Sequence, residues 1–226
     1  TDKKSAKKFE SIVNQTTPIE SSLLQNIKEF INTEIAQETI QSIEDAQEWI
    51  KKTFLYIRLV QNPLYYKINV LDVDSFLLTL VTDVIQFLAE NMFITSSIRP
   101  LIKSNLCSQY GVKLETMNLF DQVVCEDMQE LLHMLCDAVE FSEFIVRQEE
   151  KQKLKLIAID SSIRFRDLSP EDTDFFSVSN KVYLVVQSCL ARGKLEDWSF
   201  MQEFSRIKRT MDRLLSCLSE FSAYKS

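Results

Sequence analysis

Apolar residues recur at helical spacing along most of this chain of 226 residues. Steps of three and four residues place side chains on one face of a helix. In the first such stretch these residues are Leu23, Leu24, Ile27, Phe30 and Ile31. Thr17 before them can act as a cap, Pro18 suits a first helical position, and Glu20 would complete a capping box. The pattern therefore predicts a first helix that begins at Pro18.

Two more long helices are predicted in the first hundred residues. Ser42 to Asp45 has the form of a capping start, and that helix is expected to end at Asn62, because the residue before a proline is pushed out of the helical region. The next helix is predicted from Asp74 or Ser75 to about Asn91, and residues 92–95 are expected to form a short strand. Three helices and a short extended segment indicate a winged-helix domain over residues 1–96.

The second region, residues 97–226, is also expected to be mainly helical. Helices are predicted at about 98–118, 126–146, 148–158, 178–191 and 198–221, with an extended segment at 159–165. Arg192-Gly193 and Asp197 are expected to end one helix and to cap the last one. The predicted fold class is mainly α, with a few short strands.

Composition excludes some kinds of chemistry. The chain has two glycines, Gly111 and Gly193, and neither G-x-x-x-x-G-K-[ST] nor G-x-G-x-x-G occurs, so neither phosphate-binding loop is expected and no cofactor is predicted. A net charge of −7 argues against general coating of nucleic acid, but leaves a local basic stripe open. Five scattered cysteines favour a reducing compartment, and no apolar run is long enough for a membrane span. The start at Thr1 is typical of an excerpt.

Three motifs carry a family resemblance. They are Pro18-Ile-Glu-Ser-Ser-Leu23, Asn32-Thr-Glu-Ile35, and the block Thr53 to Tyr66, which contains Y-x-R-x-x-x-N-P-x-x-Y. Together they resemble the winged-helix segment of Ski-type superfamily 2 DExH helicases, in which Thr33 is usually alanine. Lys181 to Leu190 is similar to a helix of the helical bundle in the same family. Residues 143–166 look most like the meiotic crossover branch, named HFM or MER.

The resemblance implies an architecture and an activity. Family members carry two RecA-like motor domains, then a winged helix, then a helical bundle whose ratchet helix touches the translocating single strand. Meiotic members unwind DNA in the 3′-to-5′ direction and support crossover formation. By this resemblance, ATP and Mg²⁺ would bind on motor domains absent from this chain. The implied partners are single-stranded or branched DNA, those motor domains, and recombination or mismatch-repair proteins, without a membrane, and the implied compartment is the nucleus.

The last predicted helix, residues 198–221, corresponds to the ratchet helix. Its expected buried stripe is Met201, Phe204, Ile207, Met211, Leu214, Leu215, Leu218 and Phe221. Arg206, Arg209 and Arg213 follow at i, i+3 and i+7 on the opposite face, where guanidinium groups can contact phosphates and stack on bases. Arg213 matches the family pattern best. The alternative is an ordinary solvated charged face.

Other candidate residues are interpreted structurally. Tyr56, Arg58, Tyr65 and Tyr66 interleave aromatics with a base, but a packing or docking role, with Arg58 paired to an acid, is favoured over nucleic-acid binding. Cys125, His133 and Cys136 offer at most three ligands at helical spacing, so no metal site is predicted. Glu149 and Glu150 are expected on the surface, without a partner for acid–base chemistry.

Three hypotheses remain open at this stage. The first is the accessory C-terminal region of an ATP-dependent DNA helicase of the meiotic type, which guides the single strand through the motor. The second is the same region of a related RNA helicase. The third is a non-enzymatic helical module that binds partner helices in an apolar groove.

Overall fold

The computed structural model describes residues 6, 9–11, 13–14, 18–68, 72–191 and 198–225, without the side chains of residues 198 and 199. Over these residues the chain forms ten α-helices and four short 3₁₀ helices. The one β pairing within the described ranges is an isolated antiparallel bridge between Ile94 and Pro100. The predicted mainly α fold class is confirmed.

The chain divides into two compact units, Thr1–Ser104 and Asn105–Ser226. The helices of the first unit pack α1 and α2 against α4, and α2 against α3. Their bounds are Ile27–Ala36 (α1, preceded by a 3₁₀ turn at Leu23–Asn26), Ile43–Lys51 (α2), Phe54–Gln61 (α3, followed by a 3₁₀ turn at Pro63–Tyr66) and Val73–Glu90 (α4). The fully buried core of this unit includes Ile31, Ile35, Ile50, Leu55, Leu59, Leu77, Val81 and Leu88.

Helix starts differ from the predictions at the first helix and agree at the second. The first helix begins at Leu23 as a 3₁₀ turn rather than at Pro18, and Thr17 lies outside the described residues. Ser42 caps α2 as predicted, since its side-chain oxygen accepts a hydrogen bond from the Asp45 N–H at 3.1 Å.

The single helix predicted from Ser42 to Asn62 is two helices, α2 and α3. The break falls at Thr53, whose backbone is extended and whose hydroxyl donates to the Ile50 carbonyl at 2.7 Å. The Thr53 N–H donates to the same carbonyl at 2.9 Å, and these two hydrogen bonds occupy an acceptor that in a continuous helix would bond the N–H of residue 54. Asn62-Pro63 does end α3, as predicted.

In place of the strand predicted at residues 92–95, the structure has an isolated bridge between Ile94 and Pro100, which closes a tight turn. The Leu101 N–H donates to the Phe93 carbonyl at 2.8 Å, and the Thr95 N–H to the Arg99 carbonyl at 2.9 Å. Met92, which follows α4, has a φ of 59°, a left-handed conformation that glycine usually supplies at such a position.

The second unit is built around one buried helix. Its elements are Ile102–Tyr110 (α5, within which the unit boundary falls), Leu114–Gln122 (α6), Met128–Cys136 (α7), Lys151–Ile159 (α8), Val178–Leu190 (α9) and Trp198–Lys225 (α10), with 3₁₀ turns at Val139–Phe141 and Gln148–Glu150. Every residue of α9 from Asn180 to Ser188 is buried. Helices α7, α8 and α10 all pack against it.

Several predicted boundaries in this unit are wrong. The helix expected at 98–118 is divided by Gly111, whose φ of +61° ends α5 and suits a glycine. The helix expected at 126–146 ends at Cys136, and the segment expected to be extended at 159–165 begins with the last residue of α8 and includes a turn at residues 161–162. The start of α9 agrees with prediction, whereas Arg192-Gly193 and Asp197 lie outside the described residues.

Candidate nucleic-acid interface

Helix α10 is 28 residues long and buries one face. The buried positions are Phe200, Glu203, Ile207, Met211, Leu214, Cys217 and Phe221. Met201 and Leu215, which were predicted in this stripe, are 48% and 41% exposed, and Phe204 and Leu218 are only partly covered. The sequence pattern missed Glu203 and Cys217 because neither residue is a large hydrophobe, although both fall in the three- and four-residue series.

All three predicted arginines are exposed on α10. Arg206 lies 2.6 Å from a carboxylate oxygen of Glu143 and above the ring of Phe144. No ion pair or hydrogen bond of Arg209 is recorded among the described residues. Arg213 extends over the turn at Gly111, where Nη1 would lie 3.4 Å from an added Cβ. The seven-residue span from Arg206 to Arg213 corresponds to about 10 Å along the axis.

Below this exposed face, a buried ion cluster fixes α10 to α9. Lys181 is 1% exposed, and its Nζ lies 2.8 Å from Glu150 Oε2 and 2.7 Å from Glu203 Oε2. The contact with Glu203 is close enough for an ion pair but falls outside hydrogen-bond geometry, whereas Nζ does donate to Glu150 and to the Ile145 carbonyl. Arg147 adds ion pairs to both carboxylates, at 3.3 and 3.7 Å. The positive charges of Lys181 and Arg147 therefore equal the negative charges of Glu150 and Glu203 in number.

This cluster corrects the expectation that Glu150 lies on the surface. Glu150 is 3% exposed, and its carboxylate also accepts the backbone N–H of Arg147 at 3.0 Å. Arg147, Glu150 and Lys181 all belong to the segments that carried the family resemblance. Their role in this structure is to hold α10 in a defined rotation against α9, so that Arg206, Arg209 and Arg213 face outward.

A second polar cluster gathers the motif residues of the first unit around Glu20. Arg58 donates from Nη2 to Oε1 at 2.7 Å and from Nε to Oε2 at 3.1 Å, and Asn62 and Tyr66 donate at 2.7 and 3.0 Å. The Tyr66 hydroxyl in turn accepts the Ser21 N–H at 2.9 Å. Arg58 does pair with an acid, and that acid lies within its own unit. Residues that resembled a binding motif therefore form a structural network of hydrogen bonds between Glu20 and Arg58, Asn62 and Tyr66, the Glu20 tie.

The charge of Glu20 is stabilised by these donors. Hydrogen bonds from Arg58, and further ones from Asn62 and Tyr66, lower the pKa of Glu20 from 4.5 to about 2, against an opposing effect of burial. The same bond, with burial opposing it, raises the pKa of Arg58. Both side chains are 11% exposed, which leaves little of either group for an external ligand.

The neighbouring face of α3 is apolar and exposed. Phe54, Ile57 and Val60 are 50%, 49% and 52% exposed at three-residue spacing. Tyr65 is exposed and packs edge-on against Tyr66, with ring centroids 5.0 Å apart. Apolar side chains in a row on one helix face are typical of a docking surface rather than of a nucleic-acid site.

His133 takes part in a local network on α7 and α9. Its Nε2 lies 2.5 Å from Asp167 Oδ2, and its ring stacks on Tyr183, whose hydroxyl donates to Asp167 Oδ1 at 2.9 Å. Burial raises the pKa of Asp167, but the hydrogen bonds from His133 and Tyr183 outweigh it and lower that pKa overall. Over the described residues, no three His, Cys, Asp or Glu side chains are grouped as a metal site would require.

The comparisons with known proteins divide the chain much as its motifs do. Residues 20–98 match a family model described as a winged helix-turn-helix domain of the SNRNP200 type, and residues 100–226 match the Sec63 Brl domain. None of the described helices combines the length and apolar character needed to cross a membrane.

Relatives match nearly the whole chain. It is 30% identical over 225 residues to "Probable ATP-dependent DNA helicase HFM1" of Xenopus tropicalis, covering 96% of this chain and 17% of that protein. It is 28% identical to "ATP-dependent DNA helicase MER3 homolog" of Oryza sativa subsp. japonica, covering 96% and 19%. It is 26% identical to "U5 small nuclear ribonucleoprotein 200 kDa helicase" of Drosophila melanogaster, covering 93% and 10%. The chain thus spans under a fifth of each relative.

The Sec63 match covers more than half of the chain, so the chain belongs to the Sec63 Brl domain family. A winged-helix domain before it and the helicases among its relatives are consistent with the C-terminal region of a Ski2-type helicase. The resemblance inferred from the sequence motifs is confirmed.

Proposed function

We propose that this chain is the accessory C-terminal region of an ATP-dependent 3′-to-5′ DNA helicase that acts in meiotic recombination and crossover formation. Within that protein it guides the single strand through the motor. The names of the HFM1 and MER3 relatives support the DNA helicase assignment. The nucleus follows as the working compartment.

The observation that carries this proposal is the exposed arginine face of α10. Arg206, Arg209 and Arg213 project from a helix whose opposite face is buried and held by the Lys181 cluster. A rigidly held helix keeps its guanidinium groups at fixed positions for successive phosphates. ATP and Mg²⁺ act on RecA-like motor domains elsewhere in the same polypeptide. Recombination or mismatch-repair proteins are the proposed external partners.

The apolar face of α3 is the proposed docking surface for those motor domains. Phe54, Ile57 and Val60 would lose their exposure against such a neighbour, which would provide the hydrophobic contribution to the contact. The Glu20 tie helps to hold α3 in place, because Arg58 lies in α3 and Asn62 is its C-terminal cap, and both donate hydrogen bonds to Glu20.

The test uses the full-length helicase with Arg209→Ala, Arg213→Ala and the double substitution. Loss of a charge-assisted contact costs about 1.5–3 kcal/mol, so each single change is expected to slow unwinding roughly tenfold or more while ATP hydrolysis continues. Arg166→Ala is the matched control, because Arg166 is an exposed arginine outside α10 and donates to the carbonyls of Ile163 and Ser161. Normal unwinding by the double variant would refute the assigned role.

An RNA helicase is the second candidate, because one relative is named a U5 small nuclear ribonucleoprotein helicase. The ATPase of the full-length protein distinguishes the two. Stimulation by single-stranded DNA well above that by RNA of the same sequence supports the DNA assignment, and the reverse preference supports the RNA one. A full-length protein without nucleic-acid-stimulated ATPase that co-purifies with a protein partner would favour an interaction module.

A further inference from the structure

The loop between α6 and α7 exposes apolar side chains next to an open hollow. Val123, Val124 and Met128 are 40%, 85% and 60% exposed. They border a hollow of about 670 Å³ in the second unit, whose apolar floor includes Phe120, Met134, Leu218 and Phe221. The walls come from α6, α7 and the last turns of α10.

A second hollow lies on the other side of Met128. It has a volume of about 550 Å³ and is bordered by Leu190 and Leu215, which are 74% and 41% exposed. Met128 and Leu131 line both hollows, so the start of α7 forms a ridge between them. Two adjacent apolar hollows suit a ligand with large apolar side chains on one face, such as an amphipathic helix.

The rim of the first hollow is acidic. Asp121, Glu126 and Asp127 line it, against one cation, Lys225, which is already 2.6 Å from Asp121. The Asp127 carboxylate caps α7, and Glu126 lies beside Glu130, whose carboxylate accepts the Glu126 N–H. The unpaired negative charge therefore sits at the edge of an apolar surface.

This charge decides between the possible occupants. Nucleic acid and anionic lipid surfaces would be repelled by an acidic rim. A second copy of this chain, docked through the same face, would bring two acidic rims together, because a twofold contact pairs each patch with itself. An amphipathic helix with basic flanks satisfies both the apolar floor and the rim.

We propose that the two hollows around Met128 bind a short amphipathic helix of a partner protein, with large apolar side chains on one face and Lys or Arg beside them. Its apolar residues fill the hollows on either side of the ridge, and its basic residues face Glu126 and Asp127. This site is separate from the arginine face of α10 and does not rest on the helicase assignment.

The probe is a designed helical peptide of about 18 residues, with Leu and Phe at i, i+3, i+4 and i+7 and Lys on the remaining surface. Its affinity for the chain is measured by fluorescence anisotropy. A peptide with the same Leu and Phe pattern but Glu in place of Lys, and a scrambled Lys peptide, test the charge and the spacing. The Lys peptide is expected to bind at least tenfold more tightly than either.

Surface variants locate the binding. The double change Val124→Ser and Met128→Ser is expected to weaken the Lys peptide at least tenfold, and Glu126→Lys is expected to weaken it and to improve binding of the Glu peptide. Leu156→Ser and Glu171→Lys are the matched controls, because both residues are exposed and lie outside the two hollows. Circular dichroism checks that each variant folds.

Three results would overturn the proposal. If the Lys peptide bound all surface variants with equal affinity, it would bind at another place on the chain. If its binding did not saturate, there would be no specific site. Self-association in sedimentation that the Val124→Ser and Met128→Ser changes abolish would show that a second copy is the occupant.

Discussion

Glu20 accepts hydrogen bonds from side chains that lie 38 to 46 residues further along the chain. The sequence indicated these residues by their family pattern and suggested a cap for Glu20 and an acid partner for Arg58. The acid partner of Arg58 is Glu20 itself, whereas the expected capping role of Glu20 is wrong, because the first helix begins after it, at Leu23. A motif that is rich in Tyr, Arg and Asn can thus be explained entirely by the packing of one small unit.

Glu20→Gln tests this tie through its pH dependence. The pKa of Glu20 is about 2 in the folded chain against 4.5 ordinarily, so the carboxylate stabilises the fold fully above about pH 4.5 and loses that effect as the pH falls toward 2. The variant is expected to be less stable at neutral pH and to show a shallower loss in acid. Urea unfolding followed across this range measures both.

Glu48→Gln is the matched control for Glu20→Gln. Glu48 is exposed, and the ion pair it forms with Lys52 is long, at 3.9 Å. It is expected to leave the acid profile unchanged. A Glu20→Gln profile that coincides with the parent profile would contradict the tie.

Lys181→Met tests the buried cluster of the second unit. Removal of Lys181 leaves the two buried carboxylates Glu150 and Glu203 with Arg147 as their remaining cation, and loss of one partner from a buried ion pair typically costs about 3–5 kcal/mol. Denaturant unfolding is expected to show a loss of that size, whereas Lys153→Met, at an exposed position, is expected to cost under about 1 kcal/mol. Similar losses for the two variants would argue against a cluster that stabilises the fold.

At the scale of the element, α10 shows how a helix can be predicted correctly while its buried face is only partly right. The helix begins at Trp198 as predicted and runs four residues past Phe221. Leu214 and Leu215 were both expected in the buried stripe, but Leu214 is fully buried and Leu215 is 41% exposed. Adjacent leucines on a helix lie about 100° apart, so one face cannot bury both equally.

The two leucines provide a matched pair of variants. Leu214→Ala is expected to destabilise the chain by about 2–5 kcal/mol, because it leaves a cavity in the core. Leu215→Ala is expected to cost less than about 1 kcal/mol. Thermal or denaturant unfolding of both variants measures the difference, and equal losses would mean that the rotation of α10 is different from the one described.

Other elements show which signals a sequence carries and which it does not. Helix α9 was predicted to within a residue because its apolar run is long, and the structure adds a cap that the prediction did not name, the Ser177 side chain. The end of α5 is marked in the sequence by Gly111, whereas the break at Thr53 involves backbone and side-chain hydrogen bonds to the Ile50 carbonyl and has no glycine or proline to mark it. Burial of Glu150 and Glu203 could not be predicted from the sequence, because it depends on Lys181 arriving from another helix.

For the whole molecule, the net charge of −7 and the basic face of α10 have opposite implications for nucleic acid. This net charge argues against general coating of nucleic acid, and it leaves open a local contact through the three arginines of α10. Binding would then be weak and involve few phosphates.

That view predicts a shallow salt dependence for single-stranded DNA binding by this chain. Three contacts would give a slope of about −2 in a plot of log affinity against log salt, and each arginine removed would reduce the slope by about 0.7. Fluorescence anisotropy with Arg206→Ala, Arg209→Ala and Arg213→Ala measures this. Arg166→Ala is expected to leave the slope unchanged, and a much steeper slope in the parent chain would indicate another basic surface.

The Lys181 cluster also limits how α10 can move. A slip of α10 by one helical turn along its axis would carry Glu203 about 5.4 Å away from Lys181, and would leave buried charges apart in a medium of low polarity. Rotation of the helix about its own axis would do the same. Any stroke that advances a strand past Arg206, Arg209 and Arg213 must therefore carry α9 and α10 together as one piece, with the bending left to segments outside this pair.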